Sequence, residues 1–291
     1  MISFIGVTRL SLIGDQICSL PFATYLEKLY PGSFKVALVD KKCQQISSLL
    51  VNAPYIDGIR VTEESDKISQ KDEEYFKRFN ATFEPFPQPT EDYWYNKMDV
   101  REQTFKMSWL RGQGRINPEE WNVLSEEERK PRLTQYFPVK NQGNCIAIWS
   151  ASGYAADPVN EKRNPSWLYW NELSQRLHKE GYHVAQLGTM DHELVNDYIL
   201  DLRSLSLFEA IRFSLGCKVS IGTDSGSMHI LGALAANQIL LTTYWRKNHV
   251  SNPNALIPIN YKNRAINLFC GSNVNHIEYD RIVEGIKLLN E

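Results

Sequence analysis

The segment Val219–Trp245, VSIGTDSGSMHILGALAANQILLTTYW, sets two apolar runs around a polar knot of Thr223, Asp224, Ser225, Gly226, Ser227 and His229. In a parallel α/β sheet, ligands sit outside the carboxyl ends of the strands, where the next helix begins, and the knot falls at such a junction. Gly222 and Gly226 would let the backbone come close to a ligand. The first N–H groups of a helix starting near Ser225 would point outward with the positive end of its dipole, which makes a phosphate seat. The plainer reading is that Asp224 or Ser225 caps the helix and His229 lies on a solvated face. The knot alone leaves both readings open.

The chain that must position this knot has 291 residues, enough for two ordinary domains or one large one. Hydrophobic residues make up 43% and charged residues 23%, which implies a folded chain with a substantial core. A formal net charge of -2 argues against nucleic acid or an anionic lipid surface as the main partner, although a local basic pocket stays possible. Cys18, Cys43, Cys145, Cys217 and Cys270 are odd in number and never in a C-x-x-C pair. A disulfide framework or zinc cluster is therefore not expected, and a reducing cytoplasm is. The opening MISFIGVTRLSLIGD lacks a basic region ahead of its apolar part and reads as a first strand rather than a secretion signal. No run approaches the roughly 20 apolar residues of a membrane span, so any membrane role is expected to be peripheral.

Strand and helix patterns alternate in two blocks. The first runs from ISFIGV through a helical pattern to Pro31-Gly32, then the strand FKVALVD, a helix, a turn at Asn52 to Pro54 and a short strand at Gly58 to Val61. From Glu63 to Lys140 the pattern degrades into charged helix and proline-rich loop, and INPEEWNVLSEEERKPRLTQYFPVK is the expected interdomain linker. Alternation then restarts with strands NCIAIWSAS, YHVAQLG, CKVSIG and QILLTTYW. The helices between them begin at NPSWLYW, at a Ser206 cap and at the knot, and the amphipathic HIEYDRIVEGIKLLNE closes the chain. Alternation of this kind predicts an α/β fold with parallel sheets.

IGTDSGSMHILGALA resembles the D-S/T-G-x-x-H-x-x-A-A signature of glycosyltransferase family 9, the lipopolysaccharide heptosyltransferases. Gly232 stands where that family usually has alanine. LRSLSLFEAI resembles the family's L-x-x-x-S-L-x-E helix start, and SASGYAADPVNEKRNPSWLYWNEL resembles its strand-end loop with K-x-W-P and a following W-x-E-L helix, except that Asn164 replaces the tryptophan. LSLIGDQICSLPFATYLEKLYPGSFKVALV resembles its S-L-G-D-x-x-x-x-x-P opening. The likeness covers roughly residues 3 to 60 and 144 to 245 and leaves the middle unmatched.

The resemblance implies a GT-B fold, two Rossmann-like domains whose parallel sheets face an interdomain cleft. The expected divisions are 1–140 for a shortened acceptor-side domain and 141–275 for the donor domain. Residues 276–291 are then a C-terminal helix that can pack back on the amino-terminal domain. It also implies an inverting, metal-independent transfer of a sugar, heptose being the family default, from a nucleotide-diphosphate sugar to a saccharide or glycolipid acceptor.

On that reading Asp15 is the general base, against the bland reading of a cap or surface carboxylate. Ser150, Ser152, Lys162, Arg163, Glu193, Leu205, Asp224, Ser225, Gly226, Ser227 and His229 form the donor site, with Glu193 accepting ribose hydroxyls and Leu205 meeting the nucleotide. Trp94, Trp109 and Trp121 could form a sugar platform, though such aromatics are more often core. No cofactor or metal is expected beyond the donor, an ADP-sugar first. Expected partners are the nucleotide sugar and the acceptor, with peripheral contact at the inner face of the membrane left open. Two alternatives stand beside this: a non-catalytic nucleotide-sugar-binding protein, and a GT-B sugar-nucleotide epimerase.

Overall fold

The computed structural model of the protein describes residues 4–7, 13–18, 20–62, 123–150, 164–243, 260–271 and 273–291. The chain divides into two units, Met1–Tyr136 and Phe137–Glu291.

The first unit contains β1 (Phe4–Val7), α1 (Ile13–Cys18), α2 (Pro21–Leu29), β2 (Phe34–Asp40), α3 (Ser47–Leu50) and β3 (Gly58–Thr62). The helical pattern expected as one piece is split into α1 and α2. Pro21 opens the second helix, where its missing N–H loses no intrahelical bond. The three strands are parallel in the order β1-β2-β3. Lys35 is buried on β2, and its ammonium is satisfied by the Glu27 carboxylate and by Ser33 O at 2.8 Å. Such pairing is what a buried cation requires.

The polar stretch expected to be a linker is, through Tyr136, part of this unit. Leu124 and Leu133 are buried, and Lys28 Nζ reaches Val123 O at 3.1 Å and Glu128 Oε2 at 2.7 Å. Two leucines among many charges make no periodic pattern, which is why the stretch reads as linker. Trp94, Trp109 and Trp121 lie outside the described residues.

The second unit contains β4 (Cys145–Trp149), α4 (Trp167–Lys179), β5 (His183–Leu187), β6 (Leu200–Asp201), α5 (Leu207–Gly216), β7 (Val219–Thr223), α6 (Gly226–Ala233), β8 (Gln238–Thr242), β9 (Ala265–Phe269) and α7 (Tyr279–Asn290). Its six strands are all parallel, in the order β6-β5-β4-β7-β8-β9. Every residue of β4, β7 and β8 is buried, the mark of central strands covered on both faces.

Helix α4 is capped by the Ser166 hydroxyl and carries Arg176, His178 and Lys179 in its last turn, where they complement the dipole. Helix α5 opens on a full capping box between Ser206 and Glu209. Helix α7 gives Ile282, Val283 and Ile286 to the same core as Ile146, Ile221 and Ile239. The amphipathic pattern read from the sequence thus buries one face of this helix within the second unit. Its Gly285 is small enough to seat Ile239 and Ile266.

Two outcomes follow from these contacts. A Cβ on Gly216 would stand 2.0 Å from Lys140 O, while Gln142 N–H donates to Gly216 O at 2.9 Å. Gly216→Ala should therefore destabilise the second unit by about 2 kcal/mol, since backbone has to move; an unchanged urea midpoint would contradict this packing. In the first unit, hydrogen bonds from Lys28 and then from the Ser125 N–H hold the Glu128 carboxyl at about 2, below its ordinary 4.5. A depressed carboxylate stabilises the fold above its unfolded value and loses that contribution as pH falls. The pair is partly exposed, so Glu128→Gln should cost under ~1 kcal/mol near neutrality. Thermal scans of variant and wild type should converge between pH 4.5 and about 2.

Candidate functional site

Strand order sets the site. From β4 the chain goes to β5 and β6 on one side, then crosses to β7, β8 and β9 on the other. The order therefore reverses between β4 and β7, and the carboxyl ends of these two strands bound the crevice in which open α/β sheets bind ligands. Trp149 pairs with Gly222, so Ser150 and Thr223 come next, side by side, at that edge.

On the β7 side, Ser225 caps α6, its hydroxyl accepting the Met228 N–H at 3.4 Å. The N–H groups of Gly226 and Ser227 have no acceptor within the helix, because the first turn never does. Asp224, Ser225, Gly226 and Ser227 are each partly exposed, whereas His229 is buried. His229 Nε2 lies 3.1 Å from Asp224 Oδ1. The histidine is thus neither on a solvated face nor free to swing: it fixes the carboxylate five residues before it. Packing also demands glycine at Gly222, since a Cβ there would meet Met228 Sδ at 3.0 Å and Trp149 Cβ at 3.1 Å.

On the β4 side, Ser150 is nearly buried, and Trp170 Nε1 donates to its carbonyl at 2.8 Å. Asn164 Oδ1 is 3.5 Å from Thr223 Oγ1, at the limit of a bond, so the residue standing in for the tryptophan lies beside the β7 end. Glu193, on the loop after β5, is exposed, and Leu205, just before α5, is half-buried. That loop turns at Gly188, whose φ of 136° and whose close approach to His192 Nδ1, 2.8 Å from where a Cβ would be, both demand glycine. Arg203 clamps it: Nε and Nη2 each reach an Asp201 carboxylate oxygen at 2.8 Å, and Nη1 donates to His192 O. The Arg203 hydrogen bonds hold the Asp201 carboxyl below its ordinary range.

Of the expected donor-site residues, Ser150, Glu193, Leu205, Asp224, Ser225, Gly226, Ser227 and His229 thus all lie at or just beyond the carboxyl edge of one sheet. Ser152, Lys162 and Arg163 fall outside the described residues. Asp15 lies in α1 of the other unit, and its side chain falls outside what is described. Residues missed from sequence are the buried amides behind the edge. Gln238 Nε2 donates to Met228 O at 2.7 Å while its Oε1 accepts from Asn260 Nδ2 at 3.0 Å, steadying the first turn of α6. Gln186 does comparable work under Ser150. The available signal was a lone amide in an apolar strand, as in HVAQL and QILLT. Among the described residues no group of three or more His, Cys, Asp and Glu could hold a metal ion, and no helix is long and apolar enough to cross a membrane.

The fold is similar to those of solved glycosyltransferases. The structure of E. coli ADP-heptose lipopolysaccharide heptosyltransferase II matches with a TM-score of 0.70 at 15% identity, covering 100% of this chain and 98% of that one. A glycosyl transferase family 9 structure from Veillonella parvula also gives 0.70 at 15% identity, over 99% and 97% of the two chains. E. coli heptosyltransferase WaaC with ADP gives 0.62 at 14% identity, over 98% of this chain and 99% of that one. At these identities the likeness shows the fold, an α/β fold with parallel sheets like that of the heptosyltransferases.

Sequence narrows the class. The chain is 33% identical over 123 residues to lipopolysaccharide heptosyltransferase 2 of Escherichia coli, a stretch covering 38% of this chain and 33% of that protein. The chain is thus heptosyltransferase-like in fold, and in sequence over a stretch spanning a third of that relative's length. No family model matches it.

Loss of the α6 cap is directly measurable. Ser225→Ala should lower stability by about 1 kcal/mol in thermal unfolding, and Ser225→Asn, another capping residue, should restore most of it.

Proposed function

We propose that the protein is an inverting, metal-independent glycosyltransferase of the GT-B type. It moves a sugar, heptose in the first instance, from a nucleotide-diphosphate sugar to a saccharide or glycolipid acceptor in lipopolysaccharide or surface-glycan synthesis. In this reading the two units are the two Rossmann-like domains and face each other across a cleft in the cytoplasm. The observation that supports it best is the gathering of Ser150, Glu193 and the Asp224–His229 pair at the strand-order reversal of the second sheet. The likeness to heptosyltransferases, one of them solved with ADP, makes an ADP-sugar the first donor to test.

Each residue then has a task. The N–H groups of Gly226 and Ser227 take the diphosphate at the positive end of α6, and Lys162 and Arg163 add cationic charge to offset what develops on the leaving group. Glu193 accepts ribose hydroxyls and Leu205 covers the nucleotide. Asp15, from the first unit, removes the acceptor hydroxyl's proton as the oxygen attacks the anomeric carbon.

The test is turnover of ADP-heptose with candidate acceptors, set beside donor binding. Asp15→Asn should lower kcat at least ~10²-fold while donor affinity changes little, as removal of a general base does. Equal loss of donor binding would overturn the assignment of Asp15. Donor binding with no turnover, unaffected by Asp15→Ala, would point to a binding protein, and an epimerised sugar released without acceptor would point to an epimerase.

A further inference from the structure

Gln186 is the fourth residue of β5, without exposed surface, in a strand otherwise apolar from Val184 onward. A primary amide in such a place must satisfy two N–H protons and an oxygen. All three needs are met at the carboxyl edge of the sheet. Nε2 donates to Ser150 Oγ at 3.0 Å and to Glu193 O at 2.8 Å, and Oε1 accepts the Val195 N–H at 2.8 Å. The orientation of the amide is determined by its partners, because a backbone N–H only donates and a carbonyl only accepts.

A consequence follows for Ser150. Its oxygen receives a proton from Gln186, so its own hydroxyl proton must be directed to a different acceptor. The residue is held from behind as well, by the Trp170 indole on its carbonyl at 2.8 Å. Ser150 sits beside Thr223, at the mouth of the crevice where the phosphate seat begins.

We propose that Gln186 is a positioning residue for the donor: it makes the Ser150 hydroxyl a hydrogen-bond donor toward the nucleoside diphosphate and fixes the backbone of Glu193 at the adjoining strand end. The inference rests on the donor-site reading above. One buried side chain thereby couples two donor contacts that lie far apart in sequence.

The experiment is a double-mutant cycle on the full chain, with ADP as the calorimetric probe. Ser150→Ala and Gln186→Met should each weaken ADP binding by ~10-fold, the scale of a hydrogen bond to a charged group. The double variant should bind no more weakly than Gln186→Met alone, because the hydroxyl that Ser150→Ala removes is already misdirected. Donor KM should rise more than kcat falls. A purely structural Gln186 would lower thermal stability yet leave the two substitutions additive in binding, and that result overturns the inference.

Should Gln186→Met fail to fold, Gln186→Glu carries the same cycle. It keeps the shape and the acceptor for Val195, but as a carboxylate it forces Ser150 to donate inward. Absence of ADP binding by the wild-type chain would overturn the donor-site reading and this inference with it. ADP binding with additive substitutions would overturn this inference alone.

Discussion

A parallel sheet covered on both faces has few places for polar chemistry. In the second unit β4, β7 and β8 are buried at every position, so water reaches these strands only at their ends. Backbone groups inside are consumed by the ladders, and a polar side chain there is tolerated only with its partners in place. Gln186 and Gln238 meet that demand by bonding outward along the sheet, to Ser150 and Glu193 in one case and to Met228 in the other. The same constraint that dries the core thus stiffens the edge at which a ligand would be met. The reversal of strand order between β4 and β7 then decides where along that edge the crevice opens.

The electrostatics of the knot are less obvious than its backbone. Where the proposed function has the knot seat a diphosphate, a carboxylate at its mouth is a liability, since like charge repels. Asp224 Oδ1 lies 3.1 Å from His229 Nε2, so one of its oxygens is engaged within the knot itself. The first turn is held from its other side by Gln238 and Asn260. On the donor-site reading proposed above, these bonds preorganise the first turn of α6, which is what makes fixed dipoles effective.

Much of this was legible from residues. FKVALVD is β2 from end to end, the Ser206 cap and Glu209 close their box, and Gly181 stops α4 with a φ of 85°. What escaped did so for physical reasons. Strand β6 is two exposed residues, Leu200 and Asp201, too short for a period, and β9 is a half-exposed edge whose AINLF carries no turn signal of its own. The packing of Met228 and Trp149 against Gly222 has no signal in the sequence, because only a folded chain brings them there. Asp224 and His229 were each assigned to a ligand, and their mutual bond requires knowing that the turn between them is helical. Motif spacing marks which residues belong to a site; it does not show which of them are occupied with one another.

Helix α7 has a consequence for how the second unit comes into being. Ile282, Val283 and Ile286 complete a core that Ile146 begins near the start of that unit, so the sheet stays uncovered on part of one face until residue 286 has been synthesised. The first unit ends at Tyr136, so all its residues leave the ribosome before those of the second. The carboxyl edge of the second sheet is therefore among the last features of the molecule to exist, and a nascent chain short of α7 would expose apolar β8 and β9 surface to chaperones.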